Sequence, residues 1–189
     1  AVAETIADRL ADPTRVDLSE LELPEGLAQR VSRIVIVACG TSYHAGMVGR
    51  YALEQWARVP VEIDVASEFR YRDPVIGPDD LVVGITQSGE RGAHVLAVTN
   101  VMGSQATRDA DSILFTRAGT EISVAATKTF VSQAAALYLF ALWLADERGE
   151  IERDRVEALI AELKELPHKI QETITGVDRR VQAIARSHY

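Results

Sequence analysis

The sequence is poor in cysteine and in positive charge, and it has no apolar run long enough to cross a membrane. One cysteine in 189 residues, Cys39, leaves no partner for an internal disulfide and fits a reducing compartment. Lys and Arg number 20 against 28 Asp and Glu, a formal net charge of −8. No basic face can dominate at that balance, which argues against a nucleic-acid partner. No cationic start leads into an apolar signal segment. The longest apolar run, Ala134 to Ala145, is twelve residues, too short to span a bilayer. The expectation is a cytoplasmic protein with no membrane partner. His44, His94, His168 and His188 lack metal-ligand spacing. No G-x-x-x-x-G-K-[ST] occurs, and the first glycines miss G-x-G-x-x-G, so neither a metal nor an organic cofactor is expected.

Hydrophobic content of 47% and charged content of 25% are ordinary for one folded domain with a sizeable core. The run Arg33-Ile34-Val35-Ile36-Val37-Ala38 reads as a strand buried on both faces. It leads into Cys39-Gly40-Thr41-Ser42 and a helical pattern from about His44 to Ala57. Further strands are expected at 61–65, 81–85, 94–99 and 112–116, and a helix apolar nearly all round from Thr127 to Ala145. Residues 2–11 read as a short helix, and 66–74 as a polar connection with one helical turn. Two last helices, around 156–163 and 170–184, are expected to be separated by Pro167. Strands alternating with helices imply a three-layer α/β sandwich (α-β-α) with a five-stranded parallel sheet. Residues 1–32 form a helical lead-in and 33–189 the domain proper. The chain opens on Ala1 and ends on His188-Tyr189 straight after a helical pattern, so the expectation is a piece of a longer polypeptide.

One connection breaks the scheme. The third strand ends near Thr86 and the fourth begins near His94. Parallel neighbours need a crossover of about a dozen residues. Either these strands form a hairpin, or crossover residues are missing between Glu90 and Arg91; the latter is favoured, because Arg91-Gly92 looks like the end of a helix that nothing precedes.

Three stretches could carry chemistry, each past the carboxyl end of a strand, where open α/β sheets bind ligands. Thr41 and Ser42 open a helix whose first N–H groups lack partners and attract anions. Thr86-Gln87-Ser88-Gly89-Glu90 supplies neutral donors suited to phosphate and hydroxyls. The third is the loop 118–130, which leads into the apolar helix: the Val124-Ala125-Ala126 backbone could line a pocket, Thr127 is a plausible N-cap, and Lys128 is either near a phosphate or a solvated helix-start lysine. Cys39 reads as a small core residue, and His44 as a surface or capping residue.

Taken together, A-C-G-T-S-Y at 38–43, A-S-E-F-R-Y-R at 66–72, Q-S-G-E at 87–90, A-G-T-E-I at 118–122 and A-T-K-T-F at 126–130 closely resemble the glutamine–fructose-6-phosphate aminotransferases (glucosamine-6-phosphate synthases). The match is to the first of two sugar isomerase (SIS) domains in that family's isomerase half. The resemblance implies binding of fructose 6-phosphate and glucosamine 6-phosphate, with the phosphate held by Thr41, Ser42, Thr86, Gln87 and Ser88 and the sugar lined by Val124 and Ala125. It implies glutaminase and second SIS domains in the parent chain, a homodimer, and catalytic acid–base residues outside this chain; none is nominated within it. Thr86 and Ala126 both stand where the family has Ser. Two alternatives remain: a stand-alone sugar-phosphate isomerase, and a non-enzymatic sugar-phosphate sensor.

Overall fold

The computed structural model describes residues 1–85, 93–122 and 126–187. Five strands form one sheet: β1 (Arg33–Ala38), β2 (Val61–Val65), β3 (Asp80–Ile85), β4 (His94–Thr99) and β5 (Ser112–Phe115). All four pairings are parallel and the order is β2-β1-β3-β4-β5, as expected for this class. The hairpin alternative is excluded, because β3 and β4 run parallel with Leu81 beside His94. β-branched runs suit these central strands, which are covered on both faces.

The alternation of each strand divides two cores. Ile34, Ile36, Leu81, Val83, Ile85, Leu96, Val98 and Leu114 face the larger one. It is closed by α1 (Val2–Ile6), α3 (Gly40–Ala52), α6 (Lys128–Glu147) and α7 (Arg153–Ser187). The short α2 (Leu27–Arg30) adds Leu27 to this core. Val35, Val37, Val82 and Val95 face the smaller core, with Phe69 from α4 (Ala66–Tyr71) and Ala110, just past α5 (Gln105–Asp109). Helices thus flank the sheet on both faces.

Connection handedness accounts for this division. From β1, α3 leads outward to β2, whereas β2→β3 and β4→β5 step the other way across the sheet. Right-handed crossovers in opposite directions lie on opposite faces. Only eight residues, 86–93, separate β3 and β4 in the sequence.

α6 has the length and composition of a membrane span, yet it is a core helix with Leu137, Leu139, Phe140 and Ala141 fully buried. It packs against α3 at very short range. A Cβ placed on Gly49 would lie 2.7 Å from Leu137 Cδ1 and 2.8 Å from its Cβ. The lead-in belongs to the same core through Val2, Ile6, Leu10, Leu18 and Leu21. Its buried Arg9 donates to the carbonyls of Thr5 (2.9 Å) and Phe115 (2.6 Å) and pairs with Glu20.

Several elements differ from the sequence expectation. The first helix stops at Ile6 and passes into a 3₁₀ turn at Asp8–Leu10. α3 begins at Gly40, four residues before the apolar pattern emerges, and closes in a π-helical turn, Leu53–Ala57. α5 was not foreseen: it is only five residues long, too short for a periodic signal, although Ser104 caps it. The two final helices are one, 35 residues long, running through Pro167. Pro167 removes one backbone donor, but it sits after the last buried residue, Leu163, in a stretch where Leu166 and Ile170 still pack against the core. Beyond it, local pairs such as His168–Glu172 and Gln182–Asp178 support the turns.

Two expectations follow for stability. Gly49→Ala forces Leu137 out of its place, and urea denaturation should show a loss of about 1–3 kcal/mol; an unchanged midpoint would contradict the close helix contact. The second concerns His94, whose Nε2 lies 2.7 Å from Ser112 Oγ. Burial lowers its pKa below the usual 6.5, partly opposed by Asp111, while Arg30 lowers it further. The neutral ring is therefore favoured in the fold. Its contribution is complete above pH 6.5 and is lost as pH falls toward the lowered folded value. Denaturation midpoints should decline from pH 7.5 to 5.5, and His94→Gln should flatten that slope.

Candidate functional site

The carboxyl ends of β1, β4 and β5 and the starts of α3 and α6 surround an open cleft of about 810 Å³. That size is within the range of small-molecule clefts. Ser42 enters from α3, Thr99 and Asn100 follow β4, Thr120 and Glu121 follow β5, and Gln133 comes from α6.

The α3 entrance has the backbone form that anion binding requires. Cys39 is extended at the N-cap, and Gly40 adopts φ +58°, a conformation that favours glycine. Among the described residues no side chain caps this helix, and its first backbone bond, from Tyr43 N to Cys39 O (3.4 Å), leaves the N–H groups of Gly40, Thr41 and Ser42 without intrahelical acceptors. Ser42 is buried, 8% exposed, and lines the cleft. Thr41 is exposed on the same turn and does not line it. Cys39 is exposed rather than part of the core, because the chain has already left the strand.

The β4 and β5 exits are bound together by Asn100. Its Nδ2 donates to Gly119 O (2.7 Å), while Oδ1 accepts from Ala118 N (2.7 Å) and Thr116 Oγ1 (3.2 Å). Arg117 has φ +52° and pairs with Glu20 (2.6 Å) and Asp8 (3.5 Å) of the lead-in, which offsets its charge at the cleft rim. Thr127 is the N-cap of α6, as its sequence position suggests, but its side chain does not cap. Glu121 does so instead, accepting from Thr127 N (3.2 Å), Thr129 N (3.2 Å) and Thr129 Oγ1 (3.0 Å). The Thr129 N–H is the main cause that holds the Glu121 carboxyl below its usual range.

Of the residues nominated from sequence, Thr86, Gln87, Ser88, Val124 and Ala125 lie outside the described residues. Ala126, next to the last pair, lines the cleft with Ser42. Lys128 lines a separate cleft of about 420 Å³ with Val2, Val131 and Ile170. His44 is exposed, its ring edge-on to Tyr43. Sequence reasoning missed Asn100 and Gln133, and it included Glu121 in a candidate loop without giving it a role. Asn100 follows a strand at the ligand edge, and Gln133 is a long polar residue inside an apolar helix; both signals were present.

This is an α/β domain with a helix turn and a mixed polar and apolar cleft at the carboxyl edge of its parallel sheet. The chain belongs to the SIS domain family, whose sequence pattern matches residues 27–91 and 90–143. It is 41% identical over 202 aligned positions to the glutamine–fructose-6-phosphate aminotransferase (isomerizing) of Caldanaerobacter subterraneus subsp. tengcongensis, covering 100% of this chain and 33% of that protein. It is 45% identical over 191 positions to the protein of the same name from Mycolicibacterium smegmatis, covering 94% of this chain and 30% of that one. The chain thus spans about a third of the length of the curated relatives it matches. The solved C-terminal domain of glucosamine-fructose-6-phosphate aminotransferase from Francisella tularensis superposes with a TM-score of 0.88 at 33% identity, over 97% of this chain and 55% of that one.

Asn100→Ala should release the clasp between the two loops. Exchange of the Ala118 amide should quicken about fivefold or more, the loss of roughly one hydrogen bond, while Leu96 and Val98 amides keep their protection. Unaltered Ala118 exchange would show that Asn100 does not hold this loop.

Proposed function

We propose that this chain is the sugar-phosphate-binding first SIS domain of a glutamine–fructose-6-phosphate aminotransferase. Enzymes of that name convert fructose 6-phosphate and glutamine-derived ammonia to glucosamine 6-phosphate. The observation that carries this reading is the uncapped first turn of α3, with Ser42 facing the large neutral cleft. The 41% identity along the whole chain supports it. The phosphate is held by the open α3 turn with Thr41 and Ser42, and by Thr86, Gln87 and Ser88 of the neighbouring loop. Val124 and Ala125 line the sugar.

The chain supplies positioning rather than proton transfer. Moving a proton between C1 and C2 of the sugar needs an acid and a base poised near neutrality. Among the described residues, Glu121 is the one carboxylate lining the cleft. It is committed to the α6 N-terminus, and its lowered pKa makes it a weak base. The isomerising acid and base therefore belong to the remainder of the parent polypeptide, with its second SIS domain and its glutaminase. This chain alone is catalytically inactive. The parent acts as a cytoplasmic homodimer.

The same reading includes a crossover segment between Glu90 and Arg91 in full-length relatives. Its supports are the family match in two parts meeting at residues 90–91, an alignment of 202 positions against 189 residues here, and the eight-residue β3–β4 connection. The face already occupied by α4 and α5 is where that segment would pack.

Calorimetry with fructose 6-phosphate and glucosamine 6-phosphate tests the proposal. Binding should be measurable, and Ser42→Ala should weaken it about tenfold or more, the loss of a hydrogen bond to a charged group. Equal affinity in the variant and the parent would remove Ser42 from the site.

A further inference from the structure

Gln133 is the least expected side chain around the cleft. It lies in the second turn of α6, a helix otherwise apolar along most of its length. It is 94% buried, with 6% of its surface exposed, and lines the same cleft as Ser42. No hydrogen bond to its amide is found among the described residues, and the amide is not among their fully enclosed unpaired atoms, which are Asp64 Oδ2 and Ser132 Oγ, so it keeps contact with the cleft. An amide so placed is left to water or to a ligand, and holding most of the side chain away from solvent without a protein partner has a cost. Leu or Met would fill this volume without that cost.

The helix contact explains where the amide points. α3 and α6 both begin at the ligand edge of the sheet and meet at Gly49 and Leu137. From Leu137, Gln133 lies one turn, about 6 Å, nearer the cleft. From Gly49, Ser42 lies seven residues, about 10 Å, nearer the same edge. Side chains on a helix lean toward its N-terminus, so the Gln133 amide closes most of that difference. It contributes the α6 side of the cleft to which Ser42 contributes the α3 side.

We infer that Gln133 is a specificity-determining residue that hydrogen-bonds a hydroxyl of the ligand's carbon chain, while the α3 turn takes the phosphate. This rests on the sugar-phosphate reading above. A neutral amide offers two donors and an acceptor, which matches a hydroxyl that must both donate and accept. A site built around such a hydrogen bond rejects ligands that lack the hydroxyl, since the amide is then left unpaired. An anion gains more from the helix turn, with its aligned N–H groups.

The test compares two ligands on the same protein. With Gln133→Leu, the affinity for fructose 6-phosphate should fall 10- to 100-fold, while that for inorganic phosphate stays within twofold. The ligand-free unfolding temperature should stay equal or rise, because an unpaired buried amide has been removed. Gln133→Met, of similar length and flexibility, should behave alike. Unchanged fructose 6-phosphate affinity overturns the inference, as does a parallel fall for inorganic phosphate. A lowered unfolding temperature or failure to fold in both variants also overturns it, by making the amide structural. Absence of fructose 6-phosphate binding in the parent protein refutes the sugar-phosphate reading itself, and the role of Gln133 with it. Ser42→Ala separates the two walls, because it should weaken both ligands.

Discussion

The near-contact of α3 and α6 at Gly49 and Leu137 sets the geometry on which the cleft depends. With no Cβ at residue 49, the α6 side chain at 137 lies directly against the α3 backbone. Gly46 does the same toward the sheet, where a Cβ would meet Ile36 Cγ2 at 2.8 Å. Two helices that start at one sheet edge and cannot separate must present their first turns to the same space. Ser42 and Gln133 are brought together in this way, although 90 positions divide them in the sequence. Packing that serves stability at one end of the helix pair thus fixes the geometry of a polar cleft at the other.

The two edges of the sheet are treated differently. At the amino edge, Arg33 joins the starts of three strands, pairing with Asp80 (2.5 Å) on β3 and Glu62 (3.1 Å) on β2. Arg33 is also the main cause that lowers the Asp80 pKa, and Asp80 accepts from Gly77 N (2.7 Å) as well. Charge there is matched and used up. At the carboxyl edge, the α3 turn has no side-chain cap among the described residues, and the Arg117 charge is paired with the lead-in through Glu20 and Asp8. The cleft therefore offers dipoles and neutral hydrogen-bonding groups more than net charge. Such groups are already oriented before a ligand arrives, so little reorganisation is needed to hold it.

The sheet was legible because its strands are β-branched runs and the connections obey a parallel topology. All five strands lie within a residue or so of their expected bounds. Pro167 misled because its usual effect is local, whereas the helix around it is sustained by packing on one side and side-chain pairs on the other. α5 lay below the length at which periodicity speaks. At the cleft, Ser42 was legible from a strand–glycine–hydroxyl pattern that has a physical cause. Asn100 and Glu121 act by joining segments distant in the chain, and sequence spacing does not encode that. Gln133 was visible as a polar residue in an apolar helix, but which way it faces is decided only by the contact between Gly49 and Leu137.

The separation of binding from chemistry follows from how the carboxylate at the cleft is used. Glu121 could serve as a base by position, since it lines the cleft. Three hydrogen bonds at the start of α6 instead hold it as an anion, and each favours the charged form. Raising its basicity would require withdrawing those donors, which would leave the first turn of the main core helix uncapped. A domain of this construction can make its cleft rigid or make Glu121 reactive, but not both with the same carboxylate. Rigidity has prevailed here, and on the proposed reading the proton-transferring groups would have to come from outside the described residues.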